Sequence, residues 1–327
     1  MSNARVFVLG AGRAGRSLAR ALGQSGAVDV VGVHGRHPVA PDERLPDEML
    51  PSVGPLGATL GTADTVLVTV RDAQLPAALV ELASAPLAPG AVVLHASGGS
   101  DPAELAPLRA AGHAAGTFHP LVAMADPAQG AERLRRGDAW IGVDGDPDAI
   151  ARARVLADAL GARVLEIPAG RKAAYHAAAV IASNFPVVLL AVAEQVLRQA
   201  GLDPAASRQA LHALLRGAVD NVRNVPPQDA LTGPVVRGDD ATIVRHLEAL
   251  ARAPDVLEVY AALTRAALAI AALHGTDPER LQAIVAALDA VRDAGAPRAP
   301  DGVLPGSAPG ATARRSRDRT PSPLAEG

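Results

Sequence analysis

An apolar run, Arg5-Val6-Phe7-Val8-Leu9, passes directly into Gly10-Ala11-Gly12-Arg13-Ala14-Gly15. A helical stretch over 17–22 follows, and a second apolar run, 28–33, ends in His34-Gly35-Arg36. The order strand, G-x-G-x-x-G, helix, strand commits the chain to a parallel βαβ unit with the glycine turn at the mouth of the sheet. Each glycine has a separate reason. Gly10 permits the tight turn off the strand, Gly12 leaves the backbone open to a diphosphate, and Gly15 lets the helix approach the sheet. The helix N-terminus then presents unpaired N–H groups and a partial positive charge. Gly10, Gly12, Arg13, Ala14 and Gly15 are therefore candidate contacts for a dinucleotide.

The rest of the first half repeats the alternation. Strands are expected at 63–70, 91–95, 113–119, 139–143 and 163–167, and helices at 75–84, 102–111 and 148–160. These runs are apolar throughout, as in parallel strands covered on both faces, and imply an α/β doubly wound sheet. Residues 38–60 are rich in Pro and Gly and read as an irregular connection. After Ile167 the periodicity becomes helical, with helices expected at 171–199, 204–222, 240–251, 254–273 and 278–293. Asp203-Pro204 and Asp277-Pro278 are cap-plus-proline starts. The expected division is a dinucleotide-binding domain over 1–168, an all-α substrate or dimerisation domain over 169–293, and a disordered tail over 294–327 whose Arg314–Arg319 run reads as solvated.

Of 327 residues 49% are hydrophobic but only 2% aromatic, so the core must be built from Ala, Val, Leu and Ile. A net charge of −3 gives no general attraction to nucleic acid or to an anionic membrane. The absence of cysteine excludes disulfides, thiolate metal sites and a cysteine nucleophile. The nine histidines show no metal-ligand spacing, and no G-x-S-x-G elbow is present. The chain enters its first strand at once, without a signal peptide, which points to the cytoplasm. The apolar segment 177–196 is interrupted by Ser183-Asn184, Pro186 and Glu194 and is expected to be a buried core helix rather than a membrane span.

The end of the second strand distinguishes the two nicotinamide coenzymes. An acid there binds the ribose 2′-hydroxyl of NAD. This chain has His34-Gly35-Arg36-His37, with Asp29 at the opposite end of the strand. Arg36 can pair with a 2′-phosphate, and Arg13 adds charge nearby, so NADP(H) is expected over NAD(H). FAD is disfavoured because no second nucleotide-binding unit follows.

Hydride transfer also needs a proton donor, a group that orients it, and a cation or dipole for an acidic substrate. The strand ends offer Val70-Arg71-Asp72, Ala96-Ser97-Gly98-Gly99 and Thr117-Phe118-His119-Pro120. Val70 and Ser97 are candidate cofactor contacts, and Gly98 and His119 candidate substrate contacts. On the first helix of the second half, Lys172, His176 and Ser183 fall in one stripe at about 100° per residue, with Asn184 at its edge. Polar groups aligned on an otherwise apolar helix need a partner or a ligand. Lys172, His176 and Asn184 are the catalytic candidates and Ser183 a substrate contact. The loop Thr232-Gly233-Pro234-Val235-Val236-Arg237-Gly238-Asp239 offers Arg237 to a carboxylate, while Asp239 also reads as a helix N-cap.

Taken together, Gly10–Gly15, His95-Ala96-Ser97-Gly98, Phe118-His119-Pro120-Leu121, Lys172-x-x-Tyr175-His176 with Asn184, and Thr232-Gly233-Pro234-x-x-Arg237-Gly238-Asp239 resemble a family of two-domain Rossmann-like proteins. Its C-terminal half is a domain of unknown function, and its members are described as NADP oxidoreductases without a settled reaction. The layout is more distantly similar to the 6-phosphogluconate dehydrogenase-like superfamily, which includes pyrroline-5-carboxylate reductase and ketopantoate reductase. The ketopantoate reductase type has Asn-Gly after the fourth strand and Lys-x-x-x-Asn opening the interdomain helix, the lysine giving the proton. Here Ser97-Gly98 and Lys172-x-x-x-His176 stand in those places, so the resemblance implies Lys172 as proton donor. It implies an NADPH-dependent reductase of a small 2-oxo or 3-oxo acid, ketopantoate-like first. An imine reductase of the pyrroline-carboxylate type and a non-catalytic NADP-binding sensor are the alternatives, with a homodimer possible through the helical half.

Overall fold

A computed structural model of the protein describes residues 3–38, 51–100 and 102–293. The expected tail and its arginine run, and residues 39–50 of the irregular connection, lie outside the described residues. The chain divides by contact into two compact units, 1–189 and 190 onward. That division falls inside one long helix, whereas the change from alternating to helical structure comes near residue 168.

The first unit is a seven-stranded sheet with strand order β2-β1-β3-β4-β5-β6-β7. Its strands are β1 Ala4–Leu9, β2 Val28–His34, β3 Thr65–Val68, β4 Val92–His95, β5 Ala115–Pro120, β6 Trp140–Gly145 and β7 Arg163–Glu166. Its helices are α1 Arg13–Gly23, α2 Leu75–Ala83, α3 Ala106–Ala110, α4 Pro127–Leu134 and α5 Pro147–Leu160. α6, Lys172–Gln199, begins in this unit. The strands alternate their side chains between two cores. Val6, Val8, Leu67, Leu94, Phe118, Ile141 and Val143 face one layer together with Leu18, Leu22 and Leu156. Phe7, Leu9, Val66, Val68, Val93 and Ala115 face the other with Leu75, Leu79, Leu82 and Leu108. Burial on both faces explains why the strands read as unbroken apolar runs.

Strands β1 to β5 are parallel, as expected. β6 returns antiparallel to β5, and β7 runs parallel to β6. The sequence carries no sign of this reversal, because an apolar run has no direction and the intervening α4 has only eight residues. The reversal sets Thr117 opposite Asp144 and His119 opposite Gly142. Trp140 opens β6, and the Arg163 guanidinium lies 5.6 Å from the centre of its ring.

The glycine turn is held from beneath. Gly10 has φ 124°, a conformation that only glycine adopts without strain. The Thr69 hydroxyl donates to the Gly10 carbonyl at 2.8 Å, and the Gly10 N–H donates to the His34 carbonyl at 2.8 Å. A Cβ on Gly15 would overlap the Gly10 carbonyl oxygen and sit 2.5 Å from the Thr69 hydroxyl, while one on Gly12 would meet nothing within 4 Å.

The helices of the second unit are α7 Pro204–Asn224, α8 Pro227–Ala230, α9 Asp240–Leu250, α10 Pro254–His274 and α11 Pro278–Asp293. Ile243, Leu247, Val256, Leu257, Ile284 and Leu288 form its core, against which Val192 and Val196 of α6 pack. Asp203 and Asp239 cap α7 and α9 by accepting the N–H groups of Ala206 at 2.8 Å and Thr242 at 3.0 Å. The expectation of a buried core helix over 177–196 is corrected here. Ile181 is 60% exposed and Val187 67%, and Phe185 and Val188 are exposed as well. The helix is apolar on every side, and in the first unit only its opening turn is seated on the sheet. Both α6 and α10 are long and apolar enough to cross a bilayer by length and composition alone.

The two glycines predict opposite outcomes. Gly15→Ala should cost about 1–3 kcal/mol in urea unfolding through overpacking. Gly12→Ala should stay within about 0.5 kcal/mol of the parent. Equal midpoints for the two variants would contradict the packing described.

Candidate functional site

The sheet brings two sites to its C-terminal edge. The first is a cleft of about 500 Å³ where the chain crosses from β2 over β1 to β3. Such a reversal of strand order is where open α/β sheets bind ligands. Its walls include Gly10, Ala11 and Gly12 from the glycine turn, His34, Gly35 and Arg36 from the end of β2, and Thr69, Val70 and Arg71 from the end of β3. No side chain caps the N-terminus of α1, so its first N–H groups face outward past Gly12. Asp29 is at the far end of β2, bound by the Asn3 amide at 3.0 Å. The acid that does line the cleft, Glu81, comes from α2.

Of the expected cofactor contacts, Gly10, Gly12, Arg36 and Val70 line this cleft. Arg13 is exposed at the start of α1, Ala14 is half-buried, and Gly15 is buried beneath the loop. Ser97 accepts the N–H groups of Gly99 at 3.3 Å and Ser100 at 3.1 Å, so its hydroxyl holds its own turn. Arg71 lines the cleft and Thr69 clamps the loop; the sequence reading assigned a role to neither.

The second site lies on the neighbouring strands, on the face that carries Val93 and Ala115 further down. There the apolar face gives way to a row of polar residues. Register sets His95 of β4 beside Thr117 of β5, and Thr117 beside Asp144 of β6. Lys172, only 5% exposed, lays its ammonium on this row. It donates to the Thr117 hydroxyl, and lies 3.4 Å from Asp144 Oδ1 and 3.4 Å from His95 Nε2. Thr117 Oγ1 also lies 3.2 Å from His95 Nε2, whose single lone pair faces the lysine.

One step along the strands, His119 stands opposite Gly142. The Tyr175 hydroxyl occupies the space that a Cβ on Gly142 would fill. It lies 2.7 Å from His119 Nδ1, the rings meeting edge to face at 5.6 Å. His119 also meets His176 edge to face at 5.7 Å. A Cβ on Gly98 would strike both histidines, and His176 Nδ1 is buried there without a hydrogen-bond partner. Lys172, Tyr175 and His176 thus share one helical face at i, i+3 and i+4.

Burial dominates the electrostatics. It lowers His95 to about 3, with help from Lys172 and His119. It lowers His119 to about 4, with help from His176 and Lys172 and against Asp72. It raises Tyr175 to about 12, with Asp144 contributing. Both histidines are therefore neutral and the phenol protonated at neutral pH.

Among the sequence candidates, the structure brings together Lys172, His176, Gly98 and His119. Ser183 and Asn184 lie further along α6 and are exposed. Arg237 belongs to the second unit, with a guanidinium nitrogen 4.0 Å from Asp239 and its carbonyl accepting from Arg280 at 3.3 Å. His95, Thr117, Asp144 and Tyr175 were not among the candidates. Thr117 and His119, spaced by two at a strand end, carried the one available signal, since that spacing puts both on one face.

Comparison with known proteins agrees with this architecture. Residues 1–120 match the model of a Rossmann-like domain, and residues 139–267 match that of a domain of unknown function (DUF2520). The two matches, in that order, are the combination its motifs resemble. A Bacteroides fragilis protein, provisionally described as an NADP oxidoreductase, has a similar structure at 21% identity and TM-score 0.63, over 81% of this chain and 98% of that one. Plasmodium falciparum pyrroline carboxylate reductase, solved with NADP bound, is similar at 11% identity and TM-score 0.53, over 90% and 99% of the two chains. An imine reductase from Myxococcus stipitatus in complex with NADP+ is similar at 17% identity and TM-score 0.53, over 85% and 98%. No curated protein matches the sequence.

The neutral histidines make stability depend on pH. Unfolded histidine titrates near 6.5, so between pH 6.5 and about 3 to 4 the unfolded chain binds more protons than the folded one. Stability present above pH 6.5 should be lost as the pH falls through that window, by up to about 1.4 kcal/mol per pH unit for each histidine. Urea titrations from pH 7.5 to 4.5 measure this. A slope equal to that of a His95→Asn/His119→Asn variant would contradict the burial described.

Proposed function

We propose that the protein is an NADP(H)-dependent reductase of a small carbonyl acid, acting in the cytoplasm. The observation that carries this reading is the cleft at the crossing from β2 to β3. It has an uncapped helix N-terminus, open space above Gly12, and Arg36 and Arg71 in its walls. These residues fit a phosphorylated dinucleotide. The Gly10–Gly12 backbone and the start of α1 would hold the diphosphate, and Arg36 the 2′-phosphate. When bound, the reduced coenzyme supplies a hydride. The proteins of similar structure described as NADP oxidoreductase and NADP-bound reductases support the choice of coenzyme.

In this reading the polar cluster receives the substrate. Gly98, having no side chain, lets His119 and His176 close on the turn after β4. Lys172 supplies a fixed positive charge beneath them. Its expected role as direct proton donor has to contend with its partners: an ammonium has three N–H groups, and Thr117, Asp144 and His95 take all three. Asn184, Ser183 and Arg237 keep only the roles read from the sequence.

The carbonyl reading, with a ketopantoate-like 2-oxo acid first, rests on the position of Lys172. An imine substrate is the second reading, favoured by the likeness to a pyrroline carboxylate reductase and an imine reductase. A homodimer also belongs to the proposal, because a second copy would cover the exposed Ile181, Phe185, Val187 and Val188 of α6.

Two measurements test these statements. NADPH oxidation screened across 2-oxo acids, 3-oxo acids and cyclic imines should find turnover, and Arg36→Ala should raise the KM for NADPH about tenfold or more while leaving that for NADH. No oxidation with any member of the panel would reject the reductase reading, and turnover of imines alone would decide for the second. Light scattering should give a dimer that Val187→Asp converts to monomer; a monomeric parent would reject the homodimer.

A further inference from the structure

The reductase reading leaves open which atom gives the proton, and the geometry of α6's first turn bears on it. Lys172 is sealed: its side chain is 5% exposed and its N–H groups are spent on Thr117, Asp144 and His95. Tyr175, one turn along the same face, is half-buried, and its hydroxyl has a hydrogen bond to a single ring nitrogen, His119 Nδ1 at 2.7 Å. A phenol oxygen has one hydrogen to give and two lone pairs. When the imidazole donates Nδ1–H to that oxygen, the phenol O–H is free to point at a third atom. The position is built rather than incidental. Gly142 is the residue opposite His119, and any side chain there would displace the hydroxyl. Gly98 lets His119 and His176 close on the same spot.

We propose, resting on the reductase reading, that Tyr175 is the catalytic acid, that His119 connects it to solvent, and that Lys172 is a positioning residue. The hydride and its electron pair come from a reduced nicotinamide dinucleotide, and the π pair of the C=O or C=N bond moves to oxygen or nitrogen. The Tyr175 O–H bond breaks as the new O–H or N–H bond forms. The resulting phenolate is re-protonated from water through the His119 imidazole. Lys172 contributes by pinning α6 to β4, β5 and β6, which sets the tyrosine over Gly142. The groups that face the phenol's surroundings are His119, His176, Asp144 and Lys172. His119 is neutral in this arrangement, and Asp144 and Lys172 are an ion pair.

The chain has only two tyrosines, Tyr175 and Tyr260. A Tyr260→Phe background therefore carries a single phenol, which biosynthetic 3-fluorotyrosine labels uniquely. With 2-oxopantoate and 1-pyrroline-5-carboxylate as probes, Tyr175→Phe should lower kcat about 100-fold or more while NADPH affinity by calorimetry stays unchanged. The fluorinated single-tyrosine enzyme should move the basic limb of its kcat–pH profile to lower pH. Lys172→Met should keep a basic limb in the parent's place, with a reduced plateau. Should Lys172→Met fail to fold, the fluorotyrosine shift decides alone. Tyr175→Phe with parental kcat, or a basic limb that ignores fluorination and vanishes with Lys172, overturns the proposal and leaves the reductase reading intact. A parent that binds NADPH yet turns over neither probe nor any acid or imine of the wider panel overturns both, and is recognised before any variant is made.

Discussion

A primary ammonium removed from water governs the geometry of this protein's first unit. Taking such a charge out of solvent costs several kcal/mol unless its donors are met. Lys172 is met by residues from three adjacent strands, His95, Thr117 and Asp144, which register sets in one row. The partners are held by the sheet, so the lysine must come to them, and α6 must start where it does. The pair contributes little net stability by the usual balance of desolvation and attraction, but breaking one side of it leaves an unmatched charge. Its effect is to fix position: Tyr175 and His176 inherit their places from the turn that Lys172 anchors.

The second constraint is economy of volume. A chain with 2% aromatic residues has few large side chains to fill gaps, and it uses missing ones instead. Gly15 brings α1 against the Gly10 carbonyl, Gly142 admits a phenol, and Gly98 admits two imidazoles. At each point polar atoms occupy space that a methyl group would close. Close packing makes these approaches all-or-none, since the neighbours are backbone or rings rather than flexible chain ends.

What was legible in the sequence follows from this. The glycine turn and its flanking strands were readable because their chemistry is local: six consecutive residues decide the turn and the start of its helix. The strands and long helices were readable from apolar runs and cap-plus-proline starts. Lys172 and His176 stood out as polar residues on an apolar helix. Asp144 did not, and His95 and Tyr175 entered only as motif residues without a role, since all three matter through neighbours brought together by the return of β6 against β5, and nothing in Trp140-Ile141-Gly142-Val143 states which way the strand runs. The reading of residues 177–196 as core failed for a related reason. Composition reports that a helix is apolar, not which of its sides another element covers.

Trp140 is the chain's sole indole, set at the first position of β6 with the Arg163 guanidinium over its ring. The strand it opens reaches Gly142 two residues on and Asp144 two beyond that. Emission excited in the red edge of protein absorbance thus arises from one fluorophore in covalent continuity with the polar row. The molecule carries its own optical gauge for shifts of that strand, with no label to attach and no second emitter to subtract.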